Sequence, residues 1–214
     1  MTFQHFAQQL GERLSHPLPG ETAQFKMAPA RRLTIQEYYD MGNRNPRKSA
    51  VLVCCYPLQS SIFITLMLRP SLQGVHSDQV SFPGGRFEEG DANLEATALR
   101  EAYEELGIDP HSIEILGEMS SIYIPVSNSL VHPFLGISER QPAFKPNPLE
   151  VKEIIETELR SILDPLARGI ALFPGIGNST IEAPYYKIGQ YQVWGATAMI
   201  LSEMEAIIAD LDGF

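Results

Sequence analysis

Apolar residues first recur at helical spacing near the start of the chain, where Phe3, Phe6, Ala7 and Leu10 predict a short amphipathic helix over residues 3 to 14. The next stretch, SHPLPGETAQFKMAPARRL, breaks that period with three prolines and a glycine and reads as an irregular arm. Residues 35 to 41 suggest one more short helix. The period then changes to that of strands. SAVLVCCYPL (49–58) and SIFITLMLR (61–69) are rich in β-branched and apolar residues, and only Gln59 and Ser60 separate them, which predicts a hairpin. A loop, PSLQGVHSD, leads into QVSFPGG; EILGEMSSIYIP and LVHPFLGIS read as two further strands. EVKEIIETELRSIL (150–163) starts as strand or turn and ends as helix, and YYKIGQYQVWGA alternates about Gly189–Gln190 as a second hairpin. A closing helix, ATAMILSEMEAIIADL, carries Met199, Ile200, Met204, Ile207 and Ile208 on its apolar side.

Between these strands lies GGRFEEGDANLEATALREAYEELG (84–107), with seven acidic residues against Arg86 and Arg100, a local net charge of −5 out of −10 for the whole chain. Asp91 to Leu106 reads as a helix, with Asp91 near the N-cap, Glu95 in the first turn and Gly107 as terminator. Leu94, Ala98, Ala102 and Leu106 form its apolar stripe; Arg100, Glu104, Glu101 and Glu105 fall in that order on an adjoining arc. A solvated charged face is one reading. The bunching of acids on one arc, after a Pro-Gly-Gly turn that lets backbone approach a ligand, favours another: hard oxygen ligands for magnesium or manganese.

The second half of this stretch, Arg100-Glu101-Ala102-Tyr103-Glu104-Glu105-Leu106-Gly107-Ile108, resembles the Nudix box in full. The first half departs from it: after Gly85 and five intervening residues stands Asp91 rather than Glu, and eight residues rather than seven separate it from Arg100. That longer spacing with Asp resembles the coenzyme A pyrophosphatase subfamily. LMLRPSLQGVHSDQVSFPGG, PVSNSLVHPFLGI and YYKIGQYQVWGATAMIL are similar to its flanking segments, with Asp78 where a small residue is expected; the resemblance covers roughly residues 45 to 205.

The resemblance implies an α/β fold, a mixed curved sheet between helices in an α/β/α sandwich; residues 1–44 are expected as an N-terminal helix and irregular arm packed on a domain of residues 45–214. It implies water attack on a P–O–P bond, with Glu101, Glu104, Glu105 and the Gly85 carbonyl holding Mg2+ or Mn2+ and Arg100 orienting a glutamate. Glu101 is the first candidate for the general base, followed by Glu150 and Glu153. Arg69, His76 and Gln79 are the candidate substrate contacts. Arg69 either meets an extra ribose phosphate or pairs on the surface, and His76 either touches a phosphate or is a satisfied loop histidine. Trp194 packs in the core or stacks on adenine; Arg31 and Arg32 offer only their charge. The substrate expected is coenzyme A or its thioesters, split to 3′,5′-ADP and 4′-phosphopantetheine. Another nucleoside diphosphate derivative (ADP-ribose, a nucleotide sugar, a dinucleotide) and a nucleotide-sensing module without turnover are the alternatives.

Composition narrows the partners. A 214-residue chain with 44% apolar residues builds one decorated domain with a real core. Its charge of −10 argues against nucleic acid and anionic membrane as partners. No apolar run approaches a membrane span, the N-terminus lacks the form of a secretory signal, and the two adjacent cysteines, Cys54 and Cys55, read as reduced core residues. A cytoplasmic monomer or homodimer is expected.

Overall fold

The computed structural model describes residues 1–29, 34–40, 45–70, 79–175 and 179–214. His76, Asp78, Arg31 and Arg32 lie outside the described residues. Strand β1 (Arg47–Leu58) pairs antiparallel with β2 (Ser61–Leu68) through a hairpin whose two turn residues, Gln59 and Ser60, have φ of 52° and 80°. Positive φ at both central positions is the twist-matched turn of a two-residue hairpin. β2 also pairs with β3 (Val80–Ser81) and, along its other edge, with β8 (Glu153–Glu158). β4 (Gly84–Arg86) pairs antiparallel with β1, whereas β7 (Ser129–Ile137) runs parallel to it and carries β5 (Glu114–Glu118) and β6 (Ile122–Ile124). The sheet is therefore mixed.

Alternation along β1 divides the core into two layers. Leu52, Cys54 and Tyr56 pack on one face with Ala98, Ala102 and Leu106 of α4 (Leu94–Leu106). Val53 and Cys55 face the other way, into a larger apolar layer with Phe6 and Leu10 of α1 (Phe3–Leu14) and Met199, Ile200, Met204, Ile207 and Ile208 of α5 (Gly195–Ile208). The result is an α/β/α sandwich. The neighbouring cysteines point to opposite layers and stay free, and burial pushes the Cys54 thiol up to about 12. Among the described residues no helix is long and apolar enough to cross a membrane.

Three segments differ from the sequence expectation. The arm is ordered by α2 (Gly20–Gln24) and a 3-10 turn (Phe25–Met27) packed on α5, and the short helix expected after it is α3 (Ile35–Asp40). The cause is tertiary: fully buried Glu203 accepts from Gly20 N at 3.0 Å and Gln24 Nε2 at 2.9 Å, while Ser202 Oγ donates to Ala23 O at 2.7 Å. Residues Leu159–Leu163 close as 3-10 turns rather than α-helix. A strand that the punctuation of Gly169 and Pro174 conceals, β9 (Arg168–Pro174), joins β10 (Thr180–Ile188) and β11 (Tyr191–Trp194) in a second, three-stranded sheet. β11 lies against β3, at the end of the main sheet where β2 runs out towards Arg69.

Candidate active site

The acidic helix starts three residues later than the sequence suggests. Asn93, not Asp91, is its N-cap, accepting from Ala96 N at 2.8 Å; Gly107 ends it in the left-handed region at φ 70°. Freed from capping, Asp91 does something else. Its two oxygens receive Arg100 Nε at 2.8 Å and Arg100 Nη2 at 3.0 Å, and Thr97 Oγ1 donates to it at 2.8 Å. The bidentate bond of Arg100 is thus made to Asp91, and the single Nη1 bridges Glu101 and Glu104, each at 3.0 Å. Arg100 Nη2 also donates to Arg86 O at 3.0 Å, which ties the helix to β4. The guanidinium, first by its hydrogen bonds, holds the Asp91 carboxyl well below the usual carboxylate range.

Glu105 lies deeper, only 1% exposed. It accepts from Gly84 N at 2.8 Å and from Arg69 Nη2 at 3.0 Å; the same Nη2 donates to Gly84 O at 3.0 Å, and Arg69 Nε donates to Ser81 Oγ at 3.3 Å. Burial raises the Glu105 carboxyl to about 7 against the opposing pull of Arg69. Gly84, at φ 154°, has no room for a side chain: a Cβ would meet the backbone of Ala50 and Val51. A Cβ on Gly85 would fall on the Glu101 carboxylate instead, so that carboxylate rests directly over the Gly85 backbone. Glu101 is half-buried, and burial raises its pKa as well.

The C-terminal end of the helix gathers a further acid. Lys145 N donates to Leu106 O at 2.7 Å and Asn147 N to Glu105 O at 2.8 Å, so the segment carrying Glu150 wraps the helix end. Glu150 stands near enough to repel charge on both Glu101 and Glu105, after burial as the main cause of their shifts. Glu153, by contrast, accepts from Tyr191 OH at 2.5 Å on the far edge of β2. Gln79 O accepts from Arg69 N at 3.0 Å. Of the predicted residues, Arg100, Glu101, Glu104 and Gly85 come together; Glu105 and Arg69 form an inner pair beside them. Among the described residues no three acidic, histidine or cysteine side chains stand close enough to share one ion, and Arg100 Nη1 lies between Glu101 and Glu104. The donor set itself fits magnesium or manganese: hard carboxylate oxygens on one helical turn, and a glycine cradle facing one of them.

A mixed sheet between helices thus carries an acidic helix behind a Gly-Gly turn, which defines an α/β/α sandwich with its charged residues gathered at one helix. Residues 46–169 match the NUDIX domain family model. The chain is 32% identical over 157 residues to the mitochondrial coenzyme A diphosphatase NUDT8 of Homo sapiens, covering 72% of this chain and 66% of that protein. It is also 32% identical over 169 residues to Nudix hydrolase 22, chloroplastic, of Arabidopsis thaliana, covering 76% of this chain but 56% of that protein. Nudix hydrolase NudL of Pectobacterium atrosepticum is 33% identical over 77% of this chain and 84% of its own length. Among solved structures, a C. elegans Ap4A hydrolase binary complex matches 77% of this chain and 99% of its own with a TM-score of 0.53 at 17% identity, a likeness of fold. The chain belongs to the Nudix hydrolase family.

Proposed function

We propose that this protein hydrolyses a diphosphate bond in coenzyme A or its derivatives, in a reaction that depends on Mg2+ or Mn2+. The observation that carries the chemistry is the carboxylate of Glu101 seated over Gly85 and tied, with Glu104 and Asp91, to the one guanidinium of Arg100. Substrate choice rests on two similar proteins, human NUDT8 and mouse NUDT7, whose names describe coenzyme A diphosphatases. It rests also on the segments flanking the acidic helix.

Glu101, Glu104 and the Gly85 carbonyl are the groups that would hold the cation, with Glu105 as the inner carboxylate. Charge on the diphosphate oxygens is neutralised and oriented by Mg2+ or Mn2+ when bound. Arg100 keeps Glu101 and Glu104 in place through Nη1, and Asp91 keeps Arg100 in place through a bidentate bond. Glu101 takes the proton of the attacking water, a task suited to a carboxyl whose pKa burial has raised; Glu150 is the alternative acceptor from the loop at the helix end. Water adds to one phosphorus, the bridging P–O bond breaks, and the products are 3′,5′-ADP and 4′-phosphopantetheine. Arg69, spent on Glu105 and Gly84, serves chiefly to position the box loop.

Incubation of coenzyme A, ADP-ribose and a dinucleotide with each metal, with products resolved by mass, tests this reading. Release of 3′,5′-ADP, lost on chelation and in Glu104→Gln, is expected. Cleavage of only the other diphosphates removes the coenzyme A assignment. A folded, metal-loaded protein that cleaves none and still binds nucleotide is a sensor rather than an enzyme.

A further inference from the structure

Beside the acidic site lies a second concavity that the chemistry above does not use. It has a volume of about 460 Å3 and is walled by the β10–β11 hairpin on one side and by Gln79 and Val80 on the other. Such a volume is in the range of small-ligand sites. The hairpin register explains its make-up. Tyr185 pairs with Trp194 and Lys187 with Gln192, and residues directly opposite across an antiparallel pair share a face. One face of the hairpin therefore presents two aromatic rings, an ammonium and an amide together.

The wall is held in place. The Trp194 ring stacks on Phe173 with centroids 4.5 Å apart and planes 11° apart, and Tyr185 meets Phe173 edge-on at 6.2 Å. Tyr191 OH donates to Glu153 at 2.5 Å and accepts from Gln190 Nε2 at 2.9 Å, which fixes the hairpin to β8. On the other wall, Thr197 Oγ1 of α5 donates to Val80 O at 3.0 Å. Val80 precedes Gly84, the residue bonded to Glu105, by four positions, so the cavity lies within about 14 Å of chain of the acidic helix. Among the described residues the lining holds one cation, exposed Lys187, and no carboxylate, in a chain whose net charge is −10.

An aromatic surface backed by a second ring stacks a planar base; glutamine amides offer both donors and acceptors to a base edge; an ammonium selects a phosphate. We propose that this cavity binds the phosphorylated nucleoside half of the substrate, the base against Trp194 and a ribose phosphate monoester on Lys187. The assignment deepens the function proposed above and rests on it for the identity of the substrate, but not for its test. Coenzyme A and dephospho-coenzyme A differ by that one phosphate, so Lys187 would be what tells them apart.

Trp194 is the only tryptophan of the chain, so its fluorescence reports this wall alone. The fragments 3′,5′-ADP and AMP are titrated into the wild type and into Lys187→Gln. Saturable quenching is expected with both, tighter for 3′,5′-ADP by about tenfold or more, as a charge-assisted contact gives. In Lys187→Gln the preference between the two ligands should disappear. Absence of quenching by either ligand, or a preference untouched in Lys187→Gln, overturns the proposal. A parallel assay of coenzyme A hydrolysis separates the two readings. Quenching with the expected preference but no hydrolysis keeps the cavity and discards the reaction. Hydrolysis without quenching discards the cavity and keeps the reaction.

Discussion

Two glutamates of this protein lie almost fully buried on the outer helices, and they make the same kind of bond to different ends. Glu105 of α4 and Glu203 of α5 each accept from the backbone N–H of a glycine, Gly84 and Gly20, and from one side-chain nitrogen. On α5 that nitrogen is the neutral amide of Gln24, and around it lies the larger apolar layer of the core. On α4 it is the guanidinium of Arg69, and Glu101 and Glu150 stand near enough to repel the charge of Glu105. Glu203 fastens the N-terminal arm to the body. Glu105 fastens the Gly-Gly turn beneath Glu101, whose carboxylate rests over Gly85. A buried carboxylate is a good tether because it accepts several hydrogen bonds at once; whether it also serves chemistry depends on the charges placed beside it.

Neutralising each carboxylate in turn separates the two roles. Glu105→Gln is expected to lower turnover by about 100-fold or more with the fold retained, as loss of a carboxylate at a metal site does. Glu203→Gln should leave turnover within about twofold and lower the unfolding midpoint. Equal losses of turnover in steady-state assays would mean that both are only tethers.

Next in size is Arg69→Met, which leaves Glu105 buried without its cation and should cost about 3 kcal/mol in urea unfolding near neutral pH. The sign of its pH dependence follows from the raised Glu105 value. A carboxyl with a folded pKa above its ordinary 4.5 stabilises the fold when protonated, and that stability is lost as pH rises through about 7. The deficit of Arg69→Met should therefore grow from pH 5 to pH 8. A deficit that is flat with pH would deny that Arg69 faces a titrating carboxyl.

Gly85→Ala is expected to push the Glu101 carboxylate aside and to reduce turnover by about tenfold, some 1.4 kcal/mol of barrier, with little change in melting temperature. Gly84→Ala makes the contrast, since its Cβ meets backbone and the loss should be of stability. The smallest effect belongs to Asp91→Asn. The Asp91 pKa is depressed, so its contribution is present above the ordinary 3.8 and fades as pH falls below it. Wild type and Asp91→Asn should differ in unfolding midpoint near neutrality and converge in acid; a constant gap would sink the Arg100–Asp91 linkage.

Much of the active face could be read from residue order because it is local. The apolar stripe of α4, the terminating Gly107 and the grouping of Arg100 with Glu101 and Glu104 all follow from spacing along one helix. The hairpin at Gln59–Ser60 and the one at Gly189–Gln190 follow from alternation about a two-residue turn. The same alternation in YYKIGQYQVW held the signal for the second cavity, since it places Tyr185 and Lys187 on one face. Other features had no local mark. Asp91 has the composition of an N-cap, and only the position of Asn93 leaves it free for Arg100. The arm between Ser15 and Met27 has the composition of a loop, yet buried Glu203 orders it. Glu150 looks like a surface charge until the 145–147 segment folds over the helix end.

Residue order alone carries the family, the strands and helices around the box, and the turn of helix that bears its acids. Periods of two and 3.6 residues are properties of neighbouring positions, and they survive without any knowledge of what packs against them. Tertiary structure alone decided which acid does what. Glu105 meets a cation 36 residues earlier, Glu203 meets a backbone amide 183 residues earlier, and β7 runs parallel to β1 across the whole acidic helix. A carboxylate's role is set by the groups that surround it after folding. Those groups are brought together by burial of the two apolar layers, not by their order along the chain.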